Sequence, residues 1–368
     1  MKKVVCITGA YGFLGFHLRA RLHNDERYEV RCAGRGTFAD EDEKSKFVKG
    51  AEVIVHLAGL NRAPDEEILK TNVELAQDVT LACDSNGVTP QIIFSSSTHV
   101  DRDTVYGLSK RKVADHFSEW ATARGASFRN LVLPNIFGEY CKPFYNSAVA
   151  TFCHQLSQGE TLTVNEGEVE LVHAQQVCRE IQATIDDGLS GEFRMAGTKI
   201  SVPVLADRLS TMSEQYKNQL MPSFDDDFDL ALFNSLRSYL FPKHYPVPLT
   251  LHTDNRGSLF EAIRSLNGGQ CFVSTTKPGI TRGNHFHHHK IERFLVLEGE
   301  ALIQIRKLFS DEVHDFPVTG DQPVYIDMPP FHTHNITNTG DTQLVTLFWA
   351  HEIFDPENPD TYGEPVAQ

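Results

Sequence analysis

No CxxC pair occurs among the seven cysteines, Cys6, Cys32, Cys83, Cys141, Cys153, Cys178 and Cys271. Their number is odd and several sit in apolar runs. That excludes a disulfide framework and points to free thiols in a reducing compartment. No apolar run approaches the ~18 residues needed to cross a bilayer. The opening residues, MKKVVCITGAYG, reach a Thr-Gly turn after an apolar run too short for a signal peptide. A cytoplasmic protein with no membrane partner is therefore expected. Positive charge is also in deficit: 34 Lys and Arg against 49 Asp and Glu leave a formal net charge of −15. Binding a phosphate backbone needs clustered basic residues, so nucleic acid is excluded as a partner. There is no internal repeat and no low-complexity segment.

The 368 residues, 40% of them hydrophobic, suffice for two cores. The first half alternates short apolar runs with helical patterns. Strands are expected at 4–8, 28–33, 53–58, 91–95 and 128–133, and helices at 15–23, 73–86 and 109–124. That alternation predicts a doubly wound parallel sheet. The pattern then loosens, with helices expected at 148–157, 175–187, 202–219 and 228–240. Three prolines within FPKHYPVP at 241–248 mark a boundary, giving domains 1–245 and 246–368. Beyond it, short runs rich in β-branched and aromatic residues predict an all-β barrel or sandwich, with strands at 270–275, 292–298, 301–305, 323–327 and 344–349. The polar, Pro-rich tail from Phe354 is expected on the surface.

The first strand runs into Thr8-Gly9-Ala10-Tyr11-Gly12-Phe13-Leu14-Gly15 and then a helix. Glycines at this spacing allow a tight turn and close approach of backbone to a pyrophosphate, which the helix N-terminus then faces. The second strand ends at Cys32-Ala33-Gly34-Arg35, and no acid follows until Asp40. Asp or Glu there selects NAD, whereas Arg accommodates a 2′-phosphate. NADP(H) is expected, with Arg35 on the phosphate; the alternative is a solvated Arg35 and NAD.

This set, with His56-Leu57-Ala58-Gly59, Ser95-Ser96-Ser97 and Tyr106-Gly107-Leu108-Ser109-Lys110, resembles the extended short-chain dehydrogenase/reductase family over roughly residues 1–140. The resemblance implies that Tyr106 is the general acid toward a carbonyl. Lys110, one helical turn on, lowers the tyrosine pKa and holds the ribose. The serine on the same carbonyl is Ser97, with Ser96 and Thr98 as alternatives. Only eight residues separate Ser97 from Tyr106, fewer than the family usually has, so the connecting loop must be short. The resemblance also places Leu57, Ala58 and Gly59 on the cofactor and Pro134, in Leu133-Pro-Asn-Ile-Phe-Gly138, beside the nicotinamide.

Gly279-Ile-Thr-Arg-Gly-Asn-His285-Phe-His287-His-His-Lys-Ile-Glu292, leading to Gly299, resembles the first cupin motif, G(X)5HXH(X)4E(X)6G, at every fixed position. Pro329-Pro-Phe-His-Thr-His334-Asn-Ile-Thr-Asn338 resembles the second, with Phe331 in place of a glycine. A cupin (jelly-roll) barrel is implied. On a strand, His285 and His287 share a face. With Glu292 and His334 the resemblance makes them a ligand set for one divalent metal, with zinc the expected ion among several that suit it; the alternative is a metal-free barrel in which HFHHHK is an exposed polar edge. His288, His289 and His332 are read as solvated or supporting residues.

A short-chain reductase followed by a cupin resembles the bifunctional capsular-polysaccharide enzymes on the bacterial route to UDP-N-acetyl-L-fucosamine. The most distinctive stretches are 135–147, 150–153, 254–258, 277–285 and 354–362. The resemblance implies a homodimer acting on a UDP-4-keto-6-deoxy-N-acetylhexosamine. The cupin would epimerise C3, and the reductase would reduce the C4 ketone with NADPH to UDP-2-acetamido-2,6-dideoxy-L-talose. The alternatives are a C4 reductase whose cupin only binds sugar or dimerises, and a non-catalytic NADP sensor. Retention of both Tyr106 and Lys110 argues against the sensor.

Overall fold

The computed structural model describes residues 2–255 and 257–367. Arg256, in the distinctive stretch 254–258, lies outside the described residues. Contacts divide the chain into two compact units, Met1–Phe137 with Glu168–Ile200, and Gly138–Gly167 with Ser201–Gln368.

In the first unit, strands β1 (Lys3–Thr8), β2 (Tyr28–Ala33), β3 (Val53–His56), β4 (Gln91–Ser97) and β5 (Phe128–Leu133) join Gly191–Arg194 in one six-stranded sheet, ordered β2-β1-β3-β4-β5 and then Gly191–Arg194. Every pairing is parallel. Strands buried on both faces read as continuous apolar runs, which is why β1 and β3 stand out in sequence. Alternate residues serve opposite faces. Val5, Ile7, Val53 and Val55 pack with Leu18 of helix α1 (Phe13–Leu22) and with Val177 and Ile181 of the helix Ala174–Asp187. Cys6, Ile54, Ile92 and Phe94 pack on the other face with Val79 and Val113. These two come from the helices α3 (Asp65–Ser85) and α4 (Val105–Arg124), which follow the short α2 (Glu41–Val48). Burying such a side chain contributes about 1.5–3 kcal/mol. The order reverses between β1 and β3, and the crevice at the carboxyl ends of those strands is where such sheets bind ligands.

Helix α3 starts eight residues earlier than its apolar periodicity suggested. Its opening turn, Asp65-Glu66-Glu67 after Pro64, is polar but suits a helix N-terminus, where acids meet the positive end of the dipole. Helix α4 also begins early, at Val105, because Thr104 accepts a hydrogen bond from the Gly107 amide at 3.1 Å.

The second unit contains the helices Ala148–Gln158, Val202–Lys217 and Asp227–Leu240 and two five-stranded antiparallel sheets. One sheet runs Val247–Pro248, Val324–Met328, Glu292–Glu298, Leu344–Ala350, Gln270–Thr276. The other runs Val313–Thr319, Glu300–Lys307, His332–Asn338, Thr281–Phe286, Tyr362–Gly363. Phe294, Val296 and Phe348 of the first sheet and Ile303, Ile305 and Ile336 of the second meet in a common core. This is the cupin-type arrangement the motifs implied. The tail differs from expectation: Phe354 is exposed, but Asp360 and Val366 are only 3% and 1% exposed. No helix among the described residues is long and apolar enough to cross a membrane.

Candidate active sites: a nucleotide crevice and a histidine cluster

In the first unit the glycine loop leaves β1 at the strand-order reversal. Gly9 has φ +66°, and a Cβ there would lie 2.8 Å from the Ala58 amide nitrogen, so both conformation and space demand glycine. A Cβ at Gly15 would meet the Gly9 carbonyl oxygen at 2.2 Å, so α1 packs directly on the loop. Gly12 caps α1 without a side-chain hydrogen bond, and the first turn carries no acid. Its amides therefore remain available to an anion. Thr8 ties the loops together: its Oγ1 accepts from the Ala58 amide at 3.2 Å and lies 3.1 Å from His56 Nδ1.

A cavity of about 670 Å³ opens here, and its lining includes Gly9, Gly12, Arg35, Leu57, Ala58 and Gly59. Arg35 is exposed at its margin. Phe13, Leu14 and Gly15 form the first turn of α1 rather than the lining. Pro134 is buried just past the end of β5 and is likewise absent from the lining.

Tyr106 and Lys110 sit on the first two turns of α4. Lys110 is 6% exposed and donates from Nζ to the Ser95 carbonyl at 2.8 Å. Its Nζ lies 5.7 Å from the centre of the Tyr106 ring and 3.6 Å from where a Cβ on Gly59 would stand. Burial pulls its pKa down to about 8. Ser97 caps the one-turn helix Thr98–Asp101, accepting from the His99 amide at 3.3 Å. The buried Ser96 hydroxyl makes no hydrogen bond. The short serine-to-tyrosine connection closes because residue 107 is glycine: a Cβ would meet the His99 carbonyl at 2.2 Å and that of Arg102 at 2.9 Å.

Sequence reasoning missed two supports of this site. His56 is fully buried, and burial followed by the nearby Lys110 charge pulls its pKa down to about 3. Asn72 clips the loop after Gly59 to α4. Its Oδ1 accepts from the Leu60 amide at 2.6 Å, and its Nδ2 donates to the Leu60 carbonyl at 2.9 Å and to Ser109 Oγ at 3.0 Å. The available signal was a polar residue on the buried stripe of α3.

In the second unit, His285, His287, Glu292 and His334 each offer a ligand atom, all within 4.8 Å of one another. Glu292 Oε2 lies 3.1 Å from His287 Nε2, 3.5 Å from His334 Nε2 and 3.8 Å from His285 Nε2. His285 and His334 stand opposite each other in adjacent strands. A bulge between Gly283 and His285, with Asn284 at φ 59°, re-aims the strand just before the pair. His287 itself lies just beyond the strand end at Phe286.

The donors fit a divalent ion. His287 Nδ1 bonds the Asp360 carbonyl at 2.5 Å, and His334 Nδ1 bonds the His332 carbonyl at 3.1 Å. A carbonyl can only accept, so both rings carry a proton on Nδ1, which leaves Nε2 as the ring atom that faces the other members of the cluster. Both Nε2 atoms are buried and face Glu292, whose charge holds the His287 pKa above its ordinary value against the effect of burial. Burial pulls the His334 pKa down to about 4, keeping it neutral as a ligand must be. Of the surplus histidines, His332 is buried with Nδ1 against the Pro330 carbonyl at 2.9 Å, and none belongs to the four-residue group.

Residues 5–193 match the model of the NAD dependent epimerase/dehydratase family. The chain belongs to that family. Residues 252–362 match the model described as polysaccharide biosynthesis C-terminal domain. This member of the NAD dependent epimerase/dehydratase family is 32% identical over 370 residues, 99% of each chain, to the UDP-2-acetamido-2,6-beta-L-arabino-hexul-4-ose reductase of Pseudomonas aeruginosa. It also resembles the crystal structure of the capsular polysaccharide assembling protein CapF from Staphylococcus aureus: 34% identity, TM-score 0.62, covering 99% of this chain and 100% of that one. The UDP-N-acetylglucosamine 4-epimerase of Bacillus cereus, at 20% identity and TM-score 0.53 over 66% of this chain and 97% of its own, shares the fold.

Proposed function

We propose that this chain is a bifunctional nucleotide-sugar enzyme. It would epimerise C3 of a UDP-4-keto-6-deoxy-N-acetylhexosamine and reduce the C4 ketone with NADPH to UDP-2-acetamido-2,6-dideoxy-L-talose. The reduction is assigned to residues 1–245 and the epimerisation to 246–368. The observation that carries the reading is the presence of two separately built sites, Tyr106/Lys110 beside a glycine-loop crevice and a three-histidine, one-carboxylate cluster inside the barrel. Full-length similarity to a UDP-sugar 4-ketone reductase supports it.

Reduction needs a hydride at C4 and a proton at the ketone oxygen. Bound NADPH would supply the hydride, with Gly9, Gly12 and the start of α1 on the pyrophosphate and Arg35 on the 2′-phosphate. Tyr106 gives the proton from its hydroxyl, Lys110 favours the resulting phenolate, and Ser97 orients the carbonyl. At C3 the proton is acidic because C4 is a ketone, and inversion requires its removal and return on the other face. His285, His287, Glu292 and His334 would hold a divalent cation, with zinc the expected ion, that supplies Lewis acidity near O4. The working form is proposed to be a homodimer.

The test is incubation with a UDP-4-keto-6-deoxy-N-acetylhexosamine in D2O, with and without NADPH, followed by NMR. The expected outcome is deuterium at C3 without NADPH and a C4 alcohol with it. Reduction without any C3 exchange would favour the reading in which the barrel only binds sugar or dimerises.

A further inference from the structure

The stretch 354–362 is distinctive in sequence, and of it only the Asp360 carbonyl has entered the chemistry above. Its buried residue is Asp360, 3% exposed and held at φ 41°. One carboxylate oxygen accepts from the His288 amide at 3.0 Å. The other accepts from His289 and Lys290 amides at 3.0 and 2.9 Å. The Asp360 carbonyl takes the Nδ1 proton of His287. The neighbouring residues run along the histidine strand. Tyr362 pairs with Phe286 and Gly363 with His285, and the Glu364 amide bonds the Asn284 carbonyl at 2.9 Å. Arg306 fixes the far end, donating from Nε to the Val366 carbonyl at 2.7 Å.

We propose that Asp360 is a positioning residue of the histidine cluster, setting the tautomer of His287 through its carbonyl and the separation of His287 from Glu292 through its carboxylate. The inference rests on the metal reading above. Three successive amides converge on one carboxylate, so the turn 288–290 has one conformation rather than several. That turn makes up most of the segment 288–291 that joins His287 to Glu292. With His287 Nδ1 committed to a carbonyl, its Nε2 is directed toward Glu292 and the point the other ligands share. Supporting groups of this kind change metal affinity by roughly 10–100-fold when removed.

The test is metal binding by the full chain, measured by competition against a chromophoric chelator with zinc, and by visible spectroscopy with cobalt(II) as the probe. Asp360→Asn suits the positive φ but places an amide against the three backbone N–H groups. The expected result is one zinc per chain in the wild type, a 10–100-fold weaker site in Asp360→Asn, and altered cobalt d–d bands in its folded fraction. A purely structural role would leave those bands unchanged. Wild-type affinity with wild-type bands in Asp360→Asn would overturn the inference while leaving the metal reading intact. A wild type that binds neither ion would overturn the metal reading, and the inference with it. If circular dichroism shows Asp360→Asn unfolded, Asp360→Glu is measured the same way. It keeps the charge but displaces the oxygens, so altered bands are again expected and wild-type binding again overturns the inference.

Discussion

Lys110 is a buried ammonium that donates to the Ser95 carbonyl. Its pKa falls from 10.5 to about 8 through burial. The folded state therefore binds fewer protons than the unfolded state between those values, and stability rises with pH across that window. Below it, the cost of holding the charge is on the order of 3 kcal/mol at 1.36 kcal/mol per pKa unit. Without cofactor, Lys110→Met should be more stable than the wild type in urea at pH 7, and its advantage should shrink toward pH 10. A constant difference would mean the charge is solvated. The same lysine is kept for Tyr106, the proposed acid. Tyr106→Phe should lower NADPH oxidation by roughly 10²–10⁴-fold while C3 deuterium exchange continues; reduction at the wild-type rate would remove Tyr106 from the mechanism. Arg35→Asp should turn the kcat/KM ratio toward NADH, and an unchanged ratio would place the 2′-phosphate elsewhere.

At the scale of elements, the informative piece is the connection between β4 and α4. Its one-turn helix presses carbonyls onto Gly107. Gly107→Ala should cost about 1–3 kcal/mol of stability, the usual cost of overpacking, and should reduce ketone reduction more than cofactor binding, because Tyr106 is the adjacent residue. Activity and fluorescence titration with NADPH measure the two effects separately. The shortness of this connection was visible in sequence; the glycine that permits it was read only as part of a motif. The parallel strands were legible because burial on both faces leaves unbroken apolar runs. The polar first turn of α3 was not, because apolar periodicity is blind to it. His285, His287, Glu292 and His334 stood out through their resemblance to the cupin motifs, and the structure brings a ligand atom of each within 4.8 Å of the others. Asp360 was invisible: it sits in a tail whose composition reads as solvent-exposed, and its partners are backbone amides, which carry no sequence signal.

For the molecule as a whole, the two sites lie in units with separate cores, so their losses should be separable. Removing divalent metal with a chelator should stop C3 exchange, leave reduction of a ketone that needs no epimerisation, and lower the thermal midpoint, because binding energy at such a site is partly folding energy. His287→Ala should reproduce all three. Elemental analysis of the purified enzyme is the direct check: full epimerase activity with no metal would recast the histidines as acid–base groups.

The two units are not consecutive in the chain, which passes from one to the other after Phe137, after Gly167 and after Ile200. A ribosome delivers residues in order. The six-stranded sheet stays incomplete until its edge strand, Gly191–Arg194, has emerged. Helix Ala148–Gln158, with Val149, Phe152 and Cys153 destined for burial, is made before it but belongs to the later unit and packs on Asp227–Leu240. At roughly 5–20 residues per second, that apolar face waits several seconds for its partner. Newborn chains thus carry a sticky helix through the middle of synthesis, and that interval is when a chaperone has something to hold.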